Sequence, residues 1–337
     1  MKITHLIIIF AIATAIGCGC SRPVLRNEIA YSDPLSEWND GQAKASILSF
    51  VQTVTDTTNP HFLPTQDRVA VFDMDGTILL EKPNFVLFDF ITRLIMGQIA
   101  LNPALSLKQP YKAFYEKDRA YFESLDLYGN DGLYSILLSA TERYTEDQYK
   151  DSVQKYFNTV IDKRYNMPYN HLVYVPVVQL IQYLQDQQFE VYIVSGSDPQ
   201  FTRVFCEEAA DIPDQNVIGS TVLTQWIETD TGSYFIREHK FVEPINDEVG
   251  KPVNILNKIG KVPVIAVGNS AGDYHMLEYS KNAPISLQMI INHDDSVREY
   301  NYQAEKMKAL CQINSWQEIS MKNDFKVIFN DSLHNSK

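Results

Sequence analysis

An α/β fold with a doubly wound parallel sheet, opened after its first strand by a helical insertion, is predicted by three observations. Short apolar runs recur along the chain, and each ends in a polar loop. Segments of helical period separate most of these runs, which is the alternation that builds parallel sheets. Between the first run and the next, residues 81 to 169 carry helical patterns and no convincing strand. With 337 residues and 45% hydrophobic content, the chain can bury a sizeable core. The formal net charge of −13 excludes the basic face that a nucleic-acid groove needs. An anionic substrate must therefore be held by local charges rather than by the overall field.

The N-terminus reads as a leader. Lys2 precedes an apolar run, Leu6 to Ile16, too short to span a bilayer securely. Ala15-Ile16-Gly17-Cys18 at its end resembles a bacterial lipobox. The expectation is a signal peptide over 1–17 and a lipid on Cys18, with Cys20 a weaker acceptor. The protein would then be exported to the bacterial cell envelope and anchored to a membrane by that lipid only, in the periplasm or at the outer membrane. An ordinary cleaved signal peptide is the alternative. Residues 18–65 read as a tether followed by a helix, with Ala43, Ile47, Leu48, Phe50, Val51 and Val54 at helical spacing.

Val69-Ala70-Val71-Phe72 reads as a strand buried on both faces. Asp73-Met74-Asp75-Gly76-Thr77 follows it, at the strand end where open α/β sheets bind ligands. Asp73 and Asp75 are two apart and can point to one side of an extended chain. Carboxylates so close repel unless a cation lies between them or one is protonated. The pattern asks for a hard divalent ion with oxygen ligands, Mg2+.

Beyond Glu81-Lys82-Pro83, helices are predicted over Phe85–Met96, Tyr111–Leu125, Leu133–Thr141 and Thr145–Ile161. The last opens on a capping-box sequence, Thr145-Glu146-Asp147-Gln148. The sheet pattern resumes with a helix over Val177–Gln187 and a strand over Phe189–Val194 that closes in Ser195-Gly196-Ser197-Asp198. Pro199–Ala210 is the next helix. Val217–Thr224 and Ser233–Phe241 read as strands flanking the turn Thr229-Asp230-Thr231-Gly232. Gly250-Lys251-Pro252 opens a helix that Gly260 ends. Pro263–Val267 is a strand closing in Gly268-Asn269-Ser270-Ala271-Gly272-Asp273, and Ile285–Ile291 is another, followed by a helix near Val297–Leu310.

Three of these strand ends carry chemistry. Ser195 and the Gly196 amide, at a strand-to-helix junction, can hold phosphate oxygens. Lys251 can neutralise a nucleophilic carboxylate and an incoming phosphate. Asn269 and Asp273 offer oxygens to a hard cation. In this order the features resemble the four motifs of the haloacid dehalogenase (HAD) superfamily, Asp73-Met74-Asp75-Gly76-Thr77 being similar to its first. Phe72-Asp73-Met74-Asp75-Gly76-Thr77, Glu81-Lys82-Pro83, Val194-Ser195-Gly196, Gly250-Lys251-Pro252, Gly268-Asn269-Ser270 and His293-Asp294-Asp295 with Arg298-Glu299-Tyr300 resemble its secreted acid-phosphatase and phosphoserine-phosphatase-like members.

The resemblance implies a Rossmann-like core over 66–80 and 170–325, a C1-type helical cap over 81–169 and a tail over 326–337. It implies Asp73 as nucleophile, Asp75 as general acid and base, and Lys251, Ser195, Gly196 and Thr77 around the phosphate. Asp73, the Asp75 carbonyl and one or both of Asn269 and Asp273 would hold Mg2+. Asn269 departs from the family's usual aspartate. The expected substrate is a small phosphorylated metabolite with an alkoxide leaving group, because Asp75 serves a group that needs a proton. Glu81 and Phe85 are substrate candidates. The aromatics Phe85, Phe88, Tyr111 and Tyr115 read either as a cage for a quaternary ammonium or as cap core.

Two other readings stand beside this one. Gly268-Asn269-Ser270-Ala271-Gly272 also spells the G-x-S-x-G elbow of serine esterases, with Ser270 as nucleophile. A non-catalytic surface lipoprotein on the same fold is the other. Cys206 and Cys311 lie in no metal-binding pattern, and read as a disulfide or as two buried thiols.

Overall fold

The computed structural model describes residues 33–126 and 132–330. The leader, Cys18, Cys20, the tether up to residue 32 and the tail from residue 331 lie outside them.

Among the described residues six strands form one parallel sheet: β1 Val69–Phe72, β2 Glu190–Val194, β3 Val217–Ile218, β6 Ile265–Gly268, β7 Leu287–Asn292 and β8 Gln317–Ser320, in the order β3-β2-β1-β6-β7-β8. The remaining two, β4 Val222–Thr229 and β5 Gly232–Phe241, form a separate antiparallel hairpin. Alternate residues of the central strands enter two different apolar clusters. Ala70 and Phe72, Ile193, Ile265 and Val267 belong to one; Val69 and Val71, Val194 and Ala266 belong to the other. Side chains alternate across a strand, so both sheet faces are covered and the all-apolar run of β1 follows.

The first face is covered by α1 Gln42–Thr55, the second by later helices. Between β1 and β2 come α2 Val86–Leu101, α3 Tyr111–Glu116, α4 Arg119–Glu123, α5 Leu133–Ser139 and α6 Glu146–Thr159. They are followed by α7 Val175–Asp186 and, after β2, α8 Pro199–Ala210, which also pack on the first face through Leu180, Ile181 and Phe201. On the second face lie α9 Gly250–Ile259, α10 Tyr274–Ser280 and α11 Ala304–Asn314, through Ile255, Met276, Leu277 and Met307. A short α12, Met321–Asp324, ends the ordered elements. Among the described residues no helix is long and apolar enough to cross a membrane.

The predicted α/β parallel sheet is present, with local differences. The helix expected over Tyr111–Leu125 is broken at Lys117, whose left-handed backbone (φ 56°) ends α3, and Asp118 caps the restart by accepting the Tyr121 amide. The strand expected over Val217–Thr224 splits in two. A Cβ on Gly219 would lie 2.5 Å from the Ser197 carbonyl oxygen, so the chain passes tightly there before leaving the sheet as β4. The helix expected from Val297 begins only at Ala304. Asp295 instead caps a turn, accepting the Val297 and Arg298 amides. Thr145 forms the predicted capping box with Gln148. Cys206 and Cys311 are free, buried thiols in different clusters, which removes the disulfide alternative.

Candidate active site

The sheet order reverses direction between β1 and β6, whose neighbours run outward to either edge. Ligands of doubly wound sheets bind outside the strand ends at such a point. The Asp73 amide donates to the Val267 carbonyl, so the register of β1 against β6 carries directly into the acidic loop. A cavity of ≈ 370 Å³ opens there, with Asp73, Asp75, Gly196, Ser197, Lys251 and Asp273 at one end.

Lys251 is the hinge of this end. Its Nζ donates to Asp73 Oδ1 and to Asp273 Oδ1, each at 2.6 Å, and all three side chains are buried. Burial works against the ammonium charge, but Asp273 and Asp73 outweigh it, so Lys251 is held well above its ordinary range. Burial pushes the Asp73 carboxyl up, Asp273 pushes the same way and Lys251 opposes both. Asp75 is raised to about 7, chiefly by burial and then by Glu81, while the Ser197 hydroxyl, donating to Asp75 Oδ2 at 3.1 Å, pulls down. Asp75 Oδ1 is buried with no hydrogen-bond partner. Two aspartates of one loop thus sit in different environments: one beside an ammonium, one able to carry a proton near neutrality.

The loop itself turns on Gly76. Its φ is +77°, and a Cβ there would lie 1.9 Å from Asn269 Nδ2, so only glycine fits. Its carbonyl accepts from His293 Nε2 at 2.7 Å, and His293 Nδ1 shares a 2.9 Å hydrogen bond with Glu299 Oε2, both side chains buried. His293 thus links the Gly76 carbonyl to Glu299 and braces the loop.

The structure brings Asp73, Asp75, Lys251, Asp273, Gly196, Glu81 and Phe85 to one cavity. Thr77 and Ser195 stand just behind it. Thr77 is fully buried and donates to Asn269 Oδ1 at 3.4 Å; Ser195 Oγ accepts the Ser197 amide at 3.0 Å. Ser197, which reaches both the cavity and Asp75, escaped the sequence reading, though it stands two residues past Ser195. So did the His293–Glu299 brace, whose motif was visible without its target. Of the four aromatics considered as a cage, Phe85 and Phe88 line the cavity, and Tyr111 and Tyr115 do not.

Asp273 and Asn269 differ in availability. Asp273 Oδ2 accepts the Asn269 and Ser270 amides and the Ser270 hydroxyl, and Oδ1 accepts from Lys251, so both oxygens are engaged. Among the described residues no group of three or more His, Cys, Asp or Glu side chains is placed to hold a metal ion. Any hard cation here would depend on a smaller oxygen set around Asp73.

The profile of the haloacid dehalogenase-like hydrolase family matches residues 70–278, more than half of the chain. The chain belongs to the HAD family of hydrolases. No curated protein matches it. Similar solved structures include a protein of unknown function from Anaerococcus prevotii DSM 20548 (16% identity, TM-score 0.52, 87% of this chain and 97% of that one). A protein of unknown function from Bordetella pertussis Tohama I follows (14%, 0.50, 75% and 97%). A phosphoserine phosphohydrolase-like protein from Francisella tularensis is 18% identical, with a TM-score of 0.41, over 75% and 94%. At these identities the likeness concerns the fold.

Membership in the HAD hydrolases reassigns Ser270. Its hydroxyl donates to Asp273 and accepts the Gly272 amide, closing a capping box on the turn that follows β6. Among the described residues no histidine bonds to it, and His293 is committed to Gly76 and Glu299. The esterase elbow is thus a turn, not a nucleophile.

The amide at position 269 has a local cause. Asn269 Oδ1 accepts from Thr77 while Nδ2 donates to Glu81 Oε1 at 3.3 Å. A carboxylate could not make the second bond and would face Glu81. Asn269→Asp is expected to lower stability by about 1–3 kcal/mol through that unpaired contact. Adding Glu81→Gln should return most of the loss. Urea denaturation of the two variants checks this; equal stability of both would remove the explanation.

Proposed function

We propose that this HAD hydrolase is a Mg2+-dependent phosphatase that cleaves a small phosphate monoester through an aspartyl-phosphate. The observation that carries the reading is the 2.6 Å contact of Lys251 with Asp73, beside Asp75 with its carboxyl raised to about 7. Asp73 attacks phosphorus as the ester P–O bond breaks, and Asp75 gives its proton to the departing alkoxide oxygen. Asp75, now ionised, takes a proton from water. That water attacks phosphorus, releases inorganic phosphate and restores Asp73. Lys251 and the Gly196 and Ser197 end of the cavity balance charge on the transferring group.

The oxygens grouped here suit a hard cation: the Asp73 carboxylate, whose Oδ1 also meets Lys251, the Asp75 main-chain carbonyl, and Asn269 Oδ1, which holds only a 3.4 Å bond from Thr77. Mg2+ held there would neutralise charge between Asp73 and the phosphoryl oxygens. With Asp273 engaged elsewhere, the reading assigns that residue to holding Lys251. The helices between β1 and β2 serve as a cap that covers the cavity and selects the leaving group. We also propose export and lipid attachment at Cys18, tested by loss of fatty-acid labelling in Cys18→Ser.

Hydrolysis of p-nitrophenyl phosphate with Mg2+, abolished by EDTA and by Asp73→Asn, supports the phosphatase. Absence of turnover on any phosphate ester would favour a binding protein instead. The pH dependence has a definite sign. Asp75 is protonated below about pH 7, so kcat/KM for the phosphorylation step should be flat there. It should fall about tenfold per unit above it. The same raised carboxyl adds stability that is present at low pH and is lost as pH rises through about 7. A rate that instead rises across this range would contradict the role of Asp75.

A further inference from the structure

Resting on that phosphatase reading, we propose that the substrate's leaving group carries a neutral aromatic ring, as in a nucleoside 5′-monophosphate, seated against Phe85.

The cavity joins a charged lining to an apolar one. Besides the carboxylates its lining includes Phe85, Leu87, Phe88, Leu133, Tyr134 and Leu137. The volume of ≈ 370 Å³ lies in the range of pockets that enclose a whole nucleoside-sized ligand rather than a phosphoryl group with a short stem. Phe88 is fixed from behind by the rings of Phe114 and Phe122, at 5.8 and 5.5 Å between centroids, so this wall is rigid. Phe85 stands at the mouth and is 53% exposed. A large ring left half in water beside an apolar cleft, with Lys82 Nζ 5.0 Å from its centroid, still offers area to a stacked ring.

The charges near Phe85 exclude the other leaving groups. Lys82 Nζ already lies over the Phe85 ring at 5.0 Å and the Tyr302 ring at 4.6 Å, with Glu81 Oε1 3.4 Å away. That seat, two aromatic faces and a carboxylate, is the one a substrate ammonium would need, and the chain's own ammonium fills it. A substrate carboxylate fares no better. The cations lining the cavity among the described residues are Lys82, paired with Glu81, and Lys251, paired with Asp73 and Asp273. Asp247 and Glu248 add further acid to the lining. A neutral ring meets none of these costs and covers the apolar wall.

Phosphate release is compared for AMP, glycerol 3-phosphate, phosphoserine and phosphocholine in the presence of Mg2+. All are esters of primary alcohols, so the chemical step is matched and the differences report on the cavity. AMP is expected to exceed each of the others in kcat/KM by at least about tenfold, the scale of one stacked base. Phe85→Ala should narrow the ratio of AMP to glycerol 3-phosphate about tenfold, through KM for AMP, and Phe85→Trp should preserve it. Phosphoserine or phosphocholine matching AMP, or a ratio indifferent to Phe85→Ala, overturns the inference while leaving the phosphatase in place. Failure to hydrolyse every ester removes the phosphatase reading and this inference with it.

Discussion

Lys251→Met is expected to lower folding stability by about 3–5 kcal/mol and to abolish phosphate-ester turnover in the same protein. The two effects share one cause. Lys251 is buried between Asp73 and Asp273, at 2.6 Å from each, and among the described residues no other cation lies within ion-pair distance of either. Removing it leaves two buried carboxylates facing one another with no cation between them, Asp273 keeping only its bonds from the Asn269 and Ser270 amides and the Ser270 hydroxyl. Without the ammonium that opposes its burial, Asp73 is pushed further toward its protonated form, which is no nucleophile. Thermal or urea denaturation at neutral pH, together with an activity assay, reads both outcomes. Adding Asp73→Asn and Asp273→Asn to Lys251→Met should return much of the stability and none of the activity. That separates the charge imbalance from a simple packing loss, which the added changes would not repair.

The second large effect is expected of Asp75→Asn. With an alkyl phosphate, kcat should drop by about 10²–10⁴, because the leaving alkoxide no longer receives a proton. With p-nitrophenyl phosphate the first step should suffer far less, since nitrophenolate leaves without one. The hydrolysis of the intermediate still needs a base, so phosphorylated protein should accumulate. Burst kinetics of nitrophenolate release measure this directly. Equal losses with the two substrates, and no burst, would mean that Asp75 is not the proton donor. The site leaves room for the replacement: Asp75 Oδ1 has no hydrogen-bond partner to lose, and Ser197 can bond an amide oxygen in place of Oδ2.

These side chains were legible in the sequence for a physical reason. Asp73 and Asn269 each directly follow a short run that is apolar because its strand is buried on both faces, with Asp75 two residues on, and such runs mark their own ends. Lys251 was legible through the helix that it opens. What stayed hidden depends on contacts between distant segments. Nothing local to His293 shows that its ring supports the Gly76 carbonyl, and nothing local to Asp273 shows that both its oxygens are occupied. Nor does anything local to Asn269 show that its amide answers Glu81, 3.3 Å away. In the fold, β8 is the four residues Gln317–Ser320, with too little apolar pattern to register as a strand. The hairpin was readable as two strands but not as a partner of the helical insertion. The Arg143 amide donates to the Arg237 carbonyl, and the Arg237 side chain, stacked on Tyr149, pairs with Asp198 and Glu146.

The central claim is that Asp73 carries the phosphoryl group. Its most direct test is rapid acid quenching of the protein during turnover of p-nitrophenyl phosphate labelled at phosphorus, followed by peptide mapping. The account predicts label on the peptide containing Asp73, released by hydroxylamine as an acyl phosphate is, increased in Asp75→Asn and absent from Asp73→Asn. Label on any other residue, or full turnover by Asp73→Asn, would contradict it.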